Sequence, residues 1–208
     1  MTTWPEATVM RLLAATGIFL VGVVYVRGWR QMARERRRLR RPPVGPVSTR
    51  PLWQFMAGLA LLAVALISPL GYLATQYFSA RIVQHMLVVA SIPSLIMLSN
   101  PVVPLAYGLP ARQRDALLAA LRRPTAASSG RLRRAVHWAT SPGVTLLTFL
   151  CVCWFWYDPT AHGATLRYGW VHAIELLSLF GAGLLNWWHI TAAWPRTHGT
   201  MHPMVRIV

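Results

Sequence analysis

The 208-residue sequence contains no lysine and only five acidic residues, Glu6, Glu35, Asp115, Asp158 and Glu175. All 21 basic residues are arginines, so the formal net charge is +16. Charged residues make up 12% of the chain and hydrophobic ones 55%, whereas soluble domains carry roughly 25% charged residues. That scarcity argues against an ordinary soluble domain, and a mean hydropathy of +0.41 agrees. Cysteine is scarcer still. Cys151 and Cys153 lie two residues apart inside an apolar run, too close to staple distant parts of a fold, which excludes a disulfide scaffold. The sequence offers no Cys-x-x-Cys chelate, no phosphate-binding loop and no nucleophile–base pair. A catalytic role is therefore not expected.

What the chain does have is apolar length. Five runs, at about 7–26, 52–70, 82–98, 141–157 and 168–190, approach the ~20 residues that a helix needs to cross a bilayer. The predicted fold is all-α: a polytopic transmembrane helix bundle of about five spans, forming a single membrane domain over residues 1–208. The first run, broken only by Arg11, lacks a basic leader and a small-residue cleavage site, so it reads as an anchor rather than a signal peptide. Ser141-Pro142 reads as a helix start, with serine as N-cap and proline in the first turn.

The arginines set the expected orientation. Nine fall within 27–50, seven within 111–140 and two, Arg196 and Arg206, in the tail, while the intervening connectors 71–80 and 158–167 hold only Arg167. The positive-inside rule places all three basic regions in the cytoplasm, the N-terminus outside and the C-terminus inside. Trp4, Trp29, Trp53, Trp138, Trp170, Trp187 and Trp188 fall near span ends, where indole prefers the interface. The same asymmetry accounts for a pI near 11.7 without a nucleic-acid partner. The arginine run 27–41 reads first as a topology determinant, with anionic lipid or an acidic partner surface as alternatives. Asp115–Arg123 reads as an amphipathic helix on the membrane surface.

Topology then sorts the polar residues. His85 near the outer end of span three, His162 in the outer loop and His172 near the outer start of span five gather on one side. His137, His189, His198 and His202 fall on the cytoplasmic side. His172 and Glu175, three apart, share a helix face, as do Arg81 and His85, four apart. A glutamate inside a membrane helix is costly and marks a functional site by default. Tyr157-Asp158 closes the outer end of span four. Together with Gln84 and Met86, these residues predict one polar pocket in the outer leaflet, built from spans three, four and five. Imidazole and thioether suit copper, which makes His85, His172, Met86 and Glu175 the candidate ligands, with Arg81, Gln84, Tyr157 and Asp158 as pocket residues. The competing reading is a hydrogen-bonded network that pins helices together, with Arg81 paired to Glu175. A third is a haem- or quinone-binding electron carrier, since two histidines on different helices can ligate haem.

Several segments, in order, carry a resemblance: Tyr25-Val-Arg-Gly-Trp29, Pro51-Leu-Trp53, Leu59–Leu70 and Phe78–Leu87, then Ser99-Asn-Pro-Val102, Trp154-Phe-Trp156, His172-Ala-Ile-Glu175 and Gly183–Trp188. This pattern resembles the CtaG-type cytochrome c oxidase assembly factors of bacteria. The resemblance implies a multi-pass protein of the bacterial plasma (inner) membrane that is not an enzyme and assists copper delivery through the outer-leaflet His/Glu pocket. Cytochrome c oxidase subunits and the lipid bilayer are the implied partners, copper is the implied cofactor, and a homo-oligomer is left open. The family pattern has histidine where this chain has Arg81, Tyr157 and Leu176, so a metal-free structural partner of the oxidase is the alternative. Relatives are usually longer, and Met204-Val-Arg-Ile-Val208 reads as the start of a sixth span, which implies a truncated or reduced member.

Overall fold

A computed structural model describes residues 4–38, 48–122, 130–191 and 193. Among them all regular structure is helical: α1 (Trp4–Arg38), α2 (Arg50–Ile67), α3 (Pro69–Gln76), α4 (Phe78–Met86), a π-helical turn (Leu87–Ser91), α5 (Ile92–Leu98), α6 (Val102–Gly108), α7 (Ala111–Arg122), α8 (Gly130–Ala139), α9 (Pro142–Tyr157), α10 (Pro159–Arg167) and α11 (Gly169–Thr191). The proline-rich stretch Pro42–Pro46, residues 123–129 of the second basic connector, and the tail with Arg196, His198, His202 and Arg206 lie outside the described residues.

The first helix does not stop where its apolar run stops. It continues beyond Val26 to Arg38, because arginine is a good helix former and cations near a helix C-terminus complement its dipole. At 35 residues it is about 52 Å long. It lies against α6 and α2. Contact with α6 is backbone to backbone: a Cβ at Gly28 would sit 1.7 Å from the Pro104 carbonyl oxygen, and one at Gly108 would sit 2.2 Å from that of Val24. Small residues admit such close crossings between membrane helices. Against α2, the buried Tyr25 ring stacks on Phe55 at 3.7 Å, and its hydroxyl donates to the Pro51 carbonyl at 3.2 Å.

Prolines punctuate the rest. Pro69 ends α2, and Ser68 caps α3 by accepting from the Leu70 N–H at 3.2 Å. Proline has no N–H to bond the carbonyl four residues back, here that of Ala65, and the Gln84 side-chain amide supplies the missing donor at 2.8 Å. Pro93 repeats the theme. The π turn precedes it, with the Ile92 N–H bonded to the Leu87 carbonyl, and the Val89 carbonyl that Pro93 cannot bond lies against Gly183, where a Cβ would be only 2.5 Å away. α11 thereby approaches the α4–α5 rod closely.

The connectors differ from the sequence expectation. Residues 71–80 are no open loop, since α3 fills most of them and α4 begins at Phe78, four residues before the expected start at Ile82. The second basic connector is helical in α7 and α8; the helix expected at Asp115–Arg123 is the C-terminal part of α7, which ends at Arg122. Arg114 of α7 bonds Asp115 at 3.0 Å and approaches Glu35 of α1 at 3.5 Å. Pro142 does open α9, but the Ser141 side chain makes no capping bond; it is the Ser141 carbonyl that accepts, from the Thr145 N–H at 2.9 Å.

Among the described residues three helices are long and apolar enough to cross a membrane, Thr8–Glu35, Arg50–Ile67 and Phe78–Leu98, and α9 with α10, bent by 68° at their junction, make a fourth if they form one span. α11 has the length, at 23 residues, but His172, Glu175, Asn186 and His189 dilute its hydropathy. The core lies where α11 meets α5 and α9 and where α2 meets α5 and α1. Val88, Val89, Ile92, Ile96, Leu179, Phe55 and Leu59 fill it, while Phe19, Trp154 and Leu177 stand outward. Apolar side chains on the outside are what a lipid-facing surface requires.

Candidate functional site

Helical periodicity brings two faces together. On α4 and the turns after it the buried positions are Arg81, Gln84, His85, Val88, Val89 and Ile92; on α11 they are Glu175, Leu179, Ala182 and Gly183. Both stripes follow the three- and four-residue spacing of one helix face, polar at one end and apolar at the other. The polar ends meet. Counting from their helix starts, Arg81 and His85 lie three and seven residues into α4, and His172 and Glu175 three and six residues into α11, so the helical rise places His85 and Glu175 about 10 Å from those ends.

Glu175 is the centre of the cluster and is fully buried. Its Oε2 accepts from Arg81 Nη2 at 2.7 Å and from His172 Nδ1 at 2.7 Å. A carboxylate partner fixes the His172 proton on Nδ1. The 3.4 Å approach of Arg81 Nη2 to that same nitrogen is then a contact between two donors. Arg81 Nη2 also donates to Thr165 Oγ1 on α10, and Thr165 in turn donates to the His162 carbonyl at 2.7 Å. On the far side, Trp156 Nε1 donates to Ser178 Oγ at 2.8 Å, and Ser178 donates to the backbone carbonyl of Glu175 at 2.9 Å. One carboxylate and its neighbours therefore tie α4, α9, α10 and α11 into one body.

Four polar atoms in this region are buried without a hydrogen bond among the described residues: Arg81 Nε, Gln84 Oε1, His85 Nε2 and Glu175 Oε1. Two of them face each other, with His85 Nε2 3.4 Å from Glu175 Oε1, inside ion-pair distance but misaligned for a hydrogen bond. Buried polar atoms are rarely left open, so the pair is a chemically unfinished spot in the cluster, beside Arg81 Nε and Gln84 Oε1.

Of the residues singled out in the sequence, the structure gathers Arg81, His85, His172 and Glu175. Gln84 lies beside them but spends its amide on Ala65. Tyr157 stands at the rim, half exposed, with its ring 6.2 Å from that of His85. Asp158 is exposed and serves as N-cap of α10, accepting from the N–H groups of Thr160 at 2.9 Å and Ala161 at 3.2 Å. Met86, one residue and about 100° of helix turn beyond His85, is 49% exposed. Thr165, Trp156 and Ser178 were not singled out as site residues. Trp156 and Ser178 lay in apolar runs and Thr165 in a presumed loop, and no spacing signal joins them to Glu175.

The donor set does not fit a resident copper ion. Among the described residues no group of three His, Cys, Asp or Glu side chains is arranged to hold a metal. The His172 nitrogen and one Glu175 oxygen are committed to each other, and the place beside them is filled by the Arg81 guanidinium, itself a cation. What the arrangement does chemically is neutralise a buried carboxylate and lock four helices.

The family model for the cytochrome c oxidase caa3 assembly factor (Caa3_CtaG) matches residues 23–208. The chain belongs to this family. No curated protein and no solved structure matches it. The matched region begins in α1 just before Tyr25 and takes in the Tyr25–Phe55 stack, the glycine crossing at Gly28 and the whole Arg81–Glu175 cluster. A caa3 assembly factor with these apolar helices is a membrane protein.

Proposed function

We propose that the chain assists assembly of cytochrome c oxidase from within the bacterial plasma membrane as a non-catalytic partner of oxidase subunits. It crosses the bilayer about five times with its N-terminus outside, and the Arg81–Glu175 cluster serves as the polar rivet that presents α4, α10 and α11 near the outer surface. The family match over residues 23–208 carries this reading. A cluster in which a buried arginine and a histidine both hold one carboxylate supports a scaffold rather than an open metal site. In the source organism, removing this chain should lower the haem absorbance of assembled oxidase in isolated membranes, and the wild-type chain should restore it. Full oxidase assembly without the chain would overturn the proposal.

One observation favours a second reading, in which copper passes through as cargo: His85 Nε2 and Glu175 Oε1, neither of them hydrogen-bonded, lie 3.4 Å apart, and imidazole with a further donor suits cuprous ion. In that reading Arg81 gives up its hold on Glu175 when the ion arrives, and His172 becomes the third donor. Loading the purified chain with cuprous ion under reducing conditions separates the two. The scaffold reading expects no stoichiometric uptake. About one copper per chain, lost in both His85→Ala and His172→Ala but kept in His189→Ala, would establish the copper reading in its place.

A further inference from the structure

A groove of about 910 Å³ runs between α1 and α2, away from the polar cluster. Small residues create it. Ala15 on α1 and Ala60 and Ala63 on α2 line it, and where larger side chains would close the gap these leave it open, while Gly22 lets α1 approach Leu59. α1 meets α2 at the Tyr25–Phe55 stack and α6 at the Gly28 crossing, and the groove opens along the neighbouring stripe of α1. The α1 wall is a single stripe at three- and four-residue spacing. It is apolar from Ala15 to Val26 and ends in Arg27, Arg30 and Arg34. At the helical rise the apolar stretch is about 17 Å deep, roughly one leaflet of a bilayer whose hydrocarbon core is ~30 Å thick.

The charge at its end is uncompensated within the groove. No acid lines it among the described residues. The nearest acid on the same helix, Glu35, is drawn to Arg114 of α7 at 3.5 Å. A trench one leaflet deep, greasy along its length and closed by three guanidinium groups, has the shape and charge of a single anionic amphiphile. We propose that it binds one anionic phospholipid, the acyl part lying in the trench and the phosphate held by Arg27, Arg30 and Arg34. Guanidinium forks match phosphate oxygens in pairs. Any juxtamembrane arginine attracts anionic lipid diffusely; the trench converts that attraction into a site of fixed stoichiometry.

Native mass spectrometry of the full chain in detergent tests this, with phosphatidylglycerol and phosphatidylcholine of identical acyl chains as probes. The wild type should retain one phosphatidylglycerol and no phosphatidylcholine at equal concentration. The double substitution Arg27→Gln/Arg30→Gln should weaken retention roughly thirtyfold, while Arg37→Gln/Arg38→Gln, further along the same helix and outside the trench, should leave it intact. Ala60→Phe fills the trench and should abolish the one-lipid complex with every arginine still in place; Ala63→Leu repeats that test if the bulkier variant does not fold. Equal retention of the two lipids, equal losses from the two arginine pairs, or a lipid complex that survives both trench-filling variants would overturn the site. So would a lipid-free wild-type dimer that Ala60→Phe disperses, because the groove would then seat a second copy of the chain.

Discussion

Arg81 and Glu175 are worth more as a pair than as two residues. Each is almost completely buried, and a charge in a membrane interior persists only with a partner. Removing one partner leaves the other unpaired at a cost of about 3–5 kcal/mol, whereas replacing both with apolar groups is often neutral. Arg81→Leu and Glu175→Leu should each lower the melting temperature in detergent, and the double variant should regain most of the loss; strictly additive losses would show that the contact contributes nothing. This pairing was legible from the sequence, because Glu175 is the only acid inside an apolar helical run and Arg81 falls at the outer start of another. The histidines were legible by spacing: His172 lies one turn before Glu175 and His85 one turn after Arg81. Thr165 was not: Asp158-Pro159 carries the same cap-and-proline signature as Ser141-Pro142, but no spacing in 158–167 told which face of so short a helix turns inward. Nor was the outward turn of Met86, because neighbours in sequence diverge by about 100° around a helix, and only packing decides which of them is buried.

At the scale of elements, glycine spacing says more about which helices touch than hydropathy does. Gly17 and Gly28 lie on the same helix, but a Cβ at Gly17 meets nothing within 4 Å, while one at Gly28 would collide with the Pro104 carbonyl at 1.7 Å. Alanine in a helix interior is favoured over glycine by roughly 0.5–1 kcal/mol. Gly17→Ala should therefore raise thermal stability slightly, and Gly28→Ala should lower it by forcing α1 and α6 apart; the two melting shifts should have opposite signs. If both variants were stabilised, the backbone crossing would be absent. The long helices themselves followed from apolar runs, and Pro69 and Pro142 marked their boundaries within two residues. The short helices α3, α6 and α10 escaped notice because segments of seven to nine residues carry too few turns for a periodic signal. Likewise α1 ran twelve residues past its apolar end to Arg38, since loss of hydropathy marks the membrane surface and not the end of a helix.

For the whole molecule the decisive number is how many helices cross. Hydropathy alone admits three, or four with the bent α9–α10 pair, and it undercounts any helix whose polar residues face inward. α11 is such a helix: Glu175 is fully buried and held by Arg81 and His172, while Ile174 and Leu177 stand outward. Its polar groups are met by protein, which is the condition under which a membrane helix tolerates them. Counting α11 together with the α9–α10 pair gives five, and the proposed orientation then puts the termini on opposite sides and eighteen of 21 arginines on one side of the bilayer. Leaving α11 out would strand Arg196 and Arg206 across the membrane from the other two basic regions. Reporter fusions discriminate: at Ser128 and after Val208 they should report cytoplasm, and at His162 the exterior. A fusion after Val208 that reported the exterior would reduce the count to four, and one at Ser128 that did so would invert the molecule. The polar cluster would then face the cytoplasm, where incoming copper from outside would not meet it, and the scaffold would present α4, α10 and α11 on that side instead.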